Sequence, residues 1–204
     1  MIAYASRTGT RRNLDLLRRE GWRLLISATG CHRSEGFPYA IDNGAWTAHQ
    51  QGTDFNYSLF RKLLGSHGAG ADWFVLPDIV AGGVSSLRRS TAWLEHEECP
   101  TLPLLAVQDG IRPEHVVDLV GPEVGLAVGG STEWKLRTLH AWGKLAQRTG
   151  CYVHALRVNT LVRLNLCRDA GIHSFDGSGA SRFYKAGLVM SAGLRQQHLM
   201  EVKP

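Results

Sequence analysis

The sequence is poor in cysteine and has no long apolar run, and both deficits argue against whole classes of protein. Its four cysteines lie far apart and form no Cys-x-x-Cys pair, so neither a disulfide framework nor a cysteine-built zinc site is expected. No stretch of about 18 apolar residues is present, which argues against a membrane span. The N-terminal charges follow a very short apolar stretch, the reverse of a secretory signal. These deficits predict a reduced, intracellular and soluble protein without a metal site. No cofactor is expected either.

The composition is that of a folded domain, and its charge is unevenly distributed. Of 204 residues, 44% are hydrophobic and 20% are charged, which is globular composition and enough length for one domain over 1–204. Residues 1–130 contain 12 Lys and Arg against 14 Asp and Glu, a net charge of −2, whereas residues 131–204 contain 11 against 4, a net charge of +7. A basic last third is expected if that part faces a polyanion, although a solvated helix surface has the same composition.

Short apolar segments rich in β-branched residues recur along the chain and end in polar or glycine-rich turns, as strands do. Several are almost wholly apolar, which is typical of parallel strands buried on both faces. Helical patterns lie between most of them, and only the connection 30–38 looks helix-free. Eight strands alternating with helices predict an α/β fold, a compact (β/α)8 TIM barrel, with a doubly wound open sheet as the alternative. The predicted strands are 2–6, 23–29, 39–42, 72–78, 102–109, 124–130, 152–158 and 173–177, and the predicted helices are 9–20, 54–66, 84–96, 113–120, 131–149 and 159–170.

Acidic and other polar residues stand at the carboxyl ends of these predicted strands, where parallel α/β folds place their working residues. Asp42, Asp78 and Asp176 each lie at such an end. A single Asp there is commonly a helix cap or a turn residue, but several on one rim favour a catalytic site. The other strand ends supply Gln108 with Asp109, Gly129 with Gly130, and Arg157 with Asn159.

Three short motifs refine this set of residues. In Ile-Asp-Asn-Gly-Ala-Trp, a glycine two residues after Asp42 lets a ligand approach the backbone, and Trp46 offers a flat face for stacking. Gly129 and Gly130 present backbone N–H groups without side chains, which suits a carbonyl or phosphate oxygen, although a tight turn has the same sequence. Small residues follow Asp176 and leave space beside its carboxylate.

Six segments resemble, in the same order, motifs of the tRNA-guanine transglycosylases, and within that superfamily the short phage-type enzymes that place 7-deazaguanines in DNA. IDNGAW is similar to the family's Asp-Ser-Gly-Gly-Tyr/Phe segment, GLAVGGS to its Gly-Tyr-Ala-Ile-Gly-Gly stretch, and FDGS to the Phe-Asp-Cys/Ser turn that bears its nucleophile. LPD at 76–78, VQDG at 107–110 and HALRVNT at 154–160 resemble three further motifs. Together the segments span residues 39–178, most of the chain, and their shared order makes the resemblance specific.

The chain also departs from the family. The tRNA-acting members carry three closely spaced cysteines and a histidine that bind zinc near the C-terminus, and nothing in this sequence matches them. The chain is much shorter as well, and the part that braces tRNA has no counterpart here. The resemblance therefore implies a barrel without the zinc-binding subdomain, with DNA favoured over tRNA as the substrate. Homodimers occur in the family, which leaves a homodimer open.

The resemblance implies a reaction in which guanine in a nucleic acid is exchanged for a free 7-deazaguanine base such as preQ0. Asp176 would be the nucleophile that attacks C1′, and Asp42 would carry protons to and from the exchanging bases. Asp78 would accept hydrogen bonds from the amino and N1–H groups of a flipped or unpaired base. The remaining base contacts would come from Trp46, Gln108, Gly129, Gly130 and Leu156, and the phosphate contacts from Arg157, Arg163, Arg168, Arg182 and Lys185.

Two other classes of protein are compatible with these residues. A small barrel N-glycosidase or a deoxyribosyltransferase would act on free nucleosides, but it would need no basic surface for a polyanion. A noncatalytic, nucleic-acid-binding partner of a larger transglycosylase would be expected to lack the nucleophile, whereas Asp176 and Asp42 are both present. The transglycosylase is the favoured prediction, and it implies a cytoplasmic location, that of the host cell if the protein is phage-encoded.

Overall fold

Eight parallel strands close into a barrel in a computed structural model that describes residues 1–6 and 10–201. Each strand pairs with the next one along the chain, and the last pairs in parallel with the first. The predicted (β/α)8 barrel is confirmed, and the open-sheet alternative is wrong because no sheet edge remains between the first and last strands. The strands are β1 Ile2–Ser6, β2 Arg23–Ser27, β3 Tyr39–Asp42, β4 Phe74–Val75, β5 Pro103–Val107, β6 Gly125–Val128, β7 Val153–Ala155 and β8 Ser174–Asp176.

Helices cover the outside of the barrel between most of these strands. The connection 30–38 contains no helix, as predicted. The second, seventh and eighth helices are additional to the predicted ones, and among the described residues no helix is both long and apolar enough to cross a bilayer. The helices are α1 Arg11–Arg19, α2 Ala45–Gln51, α3 Tyr57–His67, α4 Val84–His96, α5 Thr132–Thr149, α6 Leu161–Asp169, α7 Ser178–Arg182 and α8 Tyr184–Glu201.

The predicted helix 113–120 is wrong. The chain forms only a single 3-10 turn there, Pro113–His115. Pro113 suits a helix start, but β-branched valines follow it, and Gly121 precedes a second proline that disfavours helical backbone at the residue before it. The segment between these two breaks is too short to gain from helix propagation.

Side chains alternate along each strand between a core inside the barrel and a core beneath the helices, as the period of two requires. In β3, Ala40 belongs to the inner cluster and Ile41 to the outer one, so the alternation turns Asp42 into the barrel mouth. The outer cluster is much the larger and supplies most of the apolar burial. The inner cluster consists of Tyr4, Leu25, Ala40, Trp73, Val75, Leu104, Ala106 and Ala127.

A polar and aromatic network closes the barrel at the amino ends of the strands. The Tyr4 hydroxyl donates to Asp72 at 2.9 Å and accepts from the Trp73 indole N–H at 3.1 Å. Arg23 pairs with Asp72 at 2.7 Å, so every charge in the network has a partner. Burial, helped by the neighbouring charge of Asp72, raises the pKa of Tyr4 and keeps its hydroxyl as a donor. With this end filled, the carboxyl end is left as the mouth of the barrel.

Candidate active site

Asp42 ends β3 and lies in the barrel mouth. One of its carboxylate oxygens accepts a hydrogen bond from the Gly44 N–H at 3.2 Å. Gly44 has a φ of 84°, a left-handed conformation that favours glycine and that leads directly into α2. Burial, followed by the negative charges of Asp176 and Asp78, raises the pKa of Asp42 to about 6 despite the opposing hydrogen bond from Gly44. A carboxyl group with this pKa can give and take a proton near neutrality.

Asp176 ends β8 and is buried, with 7% of its surface exposed. Its Oδ1 accepts a hydrogen bond from the Arg157 backbone N–H at 2.9 Å and lies 3.3 Å from Nε2 of His154. Gly177 lets the chain turn tightly after it, because a Cβ at this position would lie 2.5 Å from the Val158 carbonyl oxygen. The carboxylate is therefore fixed by contacts from the neighbouring strand β7 and the loop that follows it.

His154 connects Asp176 to the layer below it, and we did not predict this role. The ring is fully buried, with Nδ1 at 2.7 Å from the Ser174 hydroxyl and its centroid 4.4 Å from that of Trp73. Burial lowers the pKa of His154, although its contact with Asp176 opposes the shift. The neutral ring is consistent with an Nε2–H that donates to Asp176 while Nδ1 accepts from Ser174. A polar residue at an inward position of β7 was the available signal in the sequence.

Lys135 is a second buried polar residue of the site that we did not predict. It lies in α5 with 2% of its surface exposed, and its ammonium group donates to the Leu156 carbonyl. That carbonyl shares one peptide group with the Arg157 N–H that donates to Asp176. Burial, and next the charge of Arg157, lowers the pKa of Lys135 to about 8. One peptide group thus links a buried cation to the Asp176 carboxylate.

Asp78 follows β4 and is linked to the end of β3 through Asn43. The Asn43 amide nitrogen donates to Asp78 Oδ1 at 2.8 Å and to the Leu76 carbonyl at 2.6 Å, while its oxygen accepts from the Ala45 N–H at 2.8 Å. Burial raises the pKa of Asp78 even though the Asn43 hydrogen bond opposes it. The buried Asn43 therefore positions one acidic residue relative to the other, and its place directly after Asp42 was the only signal for this.

Gln108 directly follows β5 and is buried, and its side chain is engaged within the protein. Its Oε1 accepts from the Ala81 N–H at 2.7 Å, and its Nε2 donates to the Ile79 carbonyl at 2.7 Å. These bonds shape the loop after β4, which carries Asp78. Only the second hydrogen of the Gln108 amide is left for the predicted contact with a base.

The two consecutive glycines after β6 have structural roles. The Gly129 N–H donates to the Val107 carbonyl at 2.8 Å within the barrel, so the prediction that this amide faces a ligand is wrong. Gly130 has a φ of 70°, and a Cβ there would lie 2.5 Å from Asp109 Oδ2. Asp109 in turn accepts hydrogen bonds of 2.6 Å from both the N–H and the hydroxyl of Ser131 at the start of α5. Close packing explains this pair of glycines without a ligand.

Arg157 covers the face of Trp46 that we predicted to stack on a base. Trp46 is 42% exposed in α2, and the Arg157 guanidinium carbon lies 4.5 Å from its ring centroid. The same guanidinium donates to the Gly130 carbonyl. Leu156, the other predicted wall, lies against Gly129, where a Cβ would be 3.3 Å from its side chain. Arg157 thus faces the mouth and stands where the base was expected, and its contact with a phosphate stays a prediction.

The four other predicted phosphate contacts lie in three different surroundings. Arg168 donates to the Gly193 carbonyl at 2.8 Å and to the Asn165 side chain at 3.2 Å, at the end of α6 farthest from the mouth. Arg168 therefore joins α6 to α8, and its contact with a phosphate stays a prediction. Arg163 lies in the first turn of α6 and is partly buried. Arg182 and Lys185 are exposed where α7 meets α8, on the rim that carries Asp176.

Comparison with known proteins does not extend this picture. No protein-family model matches the chain, and no curated protein is similar enough to count as a relative. Among the described residues, no three His, Cys, Asp or Glu side chains are grouped to hold a metal ion. The fold and the site define a (β/α)8 barrel whose mouth contains three acidic side chains, a neutral histidine and a buried lysine.

Proposed function

We propose that this protein is a base-exchange transglycosylase, which replaces guanine in a nucleic acid with a 7-deazaguanine base through a covalent Asp176 intermediate. The observation that carries the proposal is the pairing of Asp176 with Asp42 in one mouth. Asp176 is held by N–H contacts that need an acceptor, whereas burial and like charges raise the pKa of Asp42 to about 6. Two acidic groups in unlike environments suit a nucleophile and a proton carrier, respectively.

The first half-reaction forms an ester with the protein. The Asp176 carboxylate attacks C1′ of the target nucleotide as the C1′–N9 bond breaks, and the electron pair of that bond leaves with guanine. Asp42, in its acid form, supplies the proton that guanine needs to leave as a neutral base. A proton donor with a pKa near 6 is present in its acid form in a useful fraction of molecules near neutrality.

The second half-reaction reverses the first with a different base. The Asp42 carboxylate removes the N9 proton of the incoming 7-deazaguanine, whose N9 then attacks C1′. The C1′–oxygen bond of the ester breaks, and its electron pair restores the Asp176 carboxylate. Asp42 regains the proton that it lost, so the protein returns to its starting state.

Base recognition would involve three neighbouring parts of the mouth. Asp78 can accept from the amino and N1–H groups of a guanine ring, and Asn43 fixes its position for this. The free hydrogen of the Gln108 amide can donate to O6. The ring itself would stack on Trp46 after displacing the Arg157 guanidinium, which is planar and already occupies that face.

The distribution of charge along the chain supports a polymer as the substrate. The last third of the chain has a net charge of +7, and its exposed Arg182 and Lys185 lie on the rim beside Asp176. The resemblance in six ordered segments favours DNA over tRNA, because no zinc-site motif is present in the sequence. A flipped or unpaired guanosine is the form that can reach a barrel mouth.

Trapping of the covalent intermediate tests this function. Wild-type protein incubated with a guanine-containing oligonucleotide should give a slower band in denaturing electrophoresis and should exchange labelled guanine. Asp176→Asn should lose both while still binding the oligonucleotide, since it retains the shape but cannot form the ester. Asp109→Asn, the matched control outside the proposed chemistry, should keep the adduct.

Two outcomes would contradict the proposal. An adduct that persists in Asp176→Asn would place the nucleophile elsewhere. Exchange that is as fast with free guanosine as with the oligonucleotide would instead favour a nucleoside-level enzyme.

A further inference from the structure

A shallow groove lies beside the mouth and is not used by the proposed chemistry. It has a volume of about 510 Å³ and lies between the start of α1 and the junction of α7 with α8. None of its lining residues is acidic, and three of them carry positive charge. The lining residues are Thr10, Arg12, Asn13, Arg182, Phe183, Tyr184 and Lys185.

The groove presents an aromatic ring to solvent among these cations. Phe183 is 66% exposed, one of the most exposed large apolar side chains among the described residues. An apolar ring left in water gains by stacking on a flat partner, and each base of a single-stranded nucleic acid offers such a face. Cations around the ring select a partner that also carries negative charge.

The walls of the groove are held in place before any ligand arrives. The Arg12 guanidinium lies 3.9 Å from the centroid of the Tyr184 ring. The buried Asn13 side chain donates to the Ser181 carbonyl at 2.6 Å, which ties α1 to the end of α7. Preorganised contacts of this kind lower the entropy lost on binding.

The groove shares the face of the barrel on which the reaction is proposed to occur. Helices α1 and α8 both begin at the carboxyl ends of the strands, and α7 follows β8 directly. Phe183 lies seven positions after Asp176, so their Cα atoms are at most about 25 Å apart. One strand of nucleic acid can therefore reach both places.

We propose that this groove binds the single strand that flanks the target nucleotide, with Phe183 stacked on a neighbouring base and with Arg12, Arg182 and Lys185 in contact with phosphates. The inference rests on the proposed function only in taking the substrate to be a polymer. It assigns Phe183 a binding role that the resemblance does not supply. Stacking on a phenyl ring tolerates any base, so the groove would set affinity and the position of the strand rather than its sequence.

The test is binding of a fluorescent single-stranded oligonucleotide to the full-length protein, without free base, over a range of salt concentrations. Phe183→Ala should weaken binding by about 5- to 150-fold, the value of one stacked base, and should leave the salt dependence unchanged. Arg182→Gln should weaken binding and reduce the slope of log K against log salt by about 0.7, as loss of one phosphate contact requires.

Matched controls lie on the far side of the barrel, in α4. Val84 is 50% exposed and Arg88 is exposed, and neither lines the groove. Val84→Ala and Arg88→Gln should bind as the wild type does. An oligonucleotide with 5-iodouracil beside the target guanine should crosslink to Phe183 on irradiation.

The outcomes distinguish this inference from the proposed function. Wild-type affinity in Phe183→Ala, or a crosslink outside the groove, would overturn the inference and leave the covalent chemistry of Asp176 untouched. Weakened binding in Phe183→Ala, together with a missing Asp176 adduct in the wild type, would support strand binding by the groove and contradict the proposed transglycosylase reaction. If the wild-type protein does not bind the oligonucleotide at low salt, the proposal that the groove binds a single strand is wrong.

Discussion

Replacement of Lys135 by methionine should affect the stability of the barrel and the activity of its mouth in opposite directions. Burial, and next the charge of Arg157, lowers the pKa of Lys135 from 10.5 to about 8. Between about pH 8 and 10.5 the unfolded chain therefore binds more protons than the folded chain, and the free energy of unfolding rises with pH in that window. The pKa shift corresponds to about 3 kcal/mol of folding free energy. Below about pH 8 the folded state is less stable by this full amount than it would be with an unperturbed lysine.

Lys135→Met removes this cost but leaves the buried Leu156 carbonyl without its donor, at about 1–3 kcal/mol. At pH 7 the free energy of unfolding should therefore lie between the wild-type value and about 2 kcal/mol above it. This advantage over the wild type should fall by about 3 kcal/mol between pH 7 and 10.5. Base exchange should drop by up to about a hundredfold, because the peptide group that holds Asp176 loses its brace.

Urea denaturation followed by tryptophan fluorescence, at several pH values in that window, measures the first effect. The difference between variant and wild type is the useful quantity, because groups remote from Lys135 titrate alike in both proteins. Lys144→Met, an exposed position in the same helix, is the control and should show no change with pH. A Lys135→Met difference that stays constant from pH 7 to 10.5 would refute a depressed lysine pKa, and full activity would refute the brace.

Two further predictions concern the mouth. Burial and like charges raise the pKa of Asp42 to about 6, so the folded chain binds more protons than the unfolded chain between about pH 4 and 6 and loses roughly 2–3 kcal/mol of stability as pH rises through that range. In urea titrations, Asp42→Asn should therefore be more stable than wild type at pH 7 but not at pH 4. Asp118→Asn, at an exposed position, is the control and should show no such difference. Arg157→Gly should leave stability within about 2 kcal/mol of wild type, because relief of the left-handed φ offsets part of the lost contacts with Trp46 and the Gly130 carbonyl. The variant should bind free guanine more tightly in calorimetry, and weaker binding would mean that the guanidinium contacts the base.

The acidic part of the site was predictable because its signals are local. Asp42 and Asp176 each end a short apolar strand, and parallel strands that close into a barrel bring their carboxyl ends to one mouth. The alternation of side chains then decides which residues point inward. His154 obeys the same rule, and reading β7 for inward polar residues would have found it.

Contacts between distant side chains were not predictable in this way. The Arg157 guanidinium reaches Trp46 across 111 positions of sequence, and nothing near either residue indicates the other. Lys135 left a partial signal, since it shares a helix face with Leu139 and Trp142, where a charged residue is out of place. Its partner, the Leu156 carbonyl, is a backbone group that no pattern of residue types specifies.

The mouth is built at the expense of stability, and this favours a catalytic over a structural role. Asp42 and Asp78 are acidic groups whose pKa values burial raises, and Lys135 is a cation whose pKa burial lowers. Apolar residues at these largely buried positions would stabilise the protein more, as the residues of the inner cluster do. These buried groups also have different roles. Lys135 acts on Asp176 through a fixed peptide group, whereas Asp42 can change its protonation near neutrality. One acidic group held in place beside another able to exchange a proton is what a covalent glycosyl transfer requires.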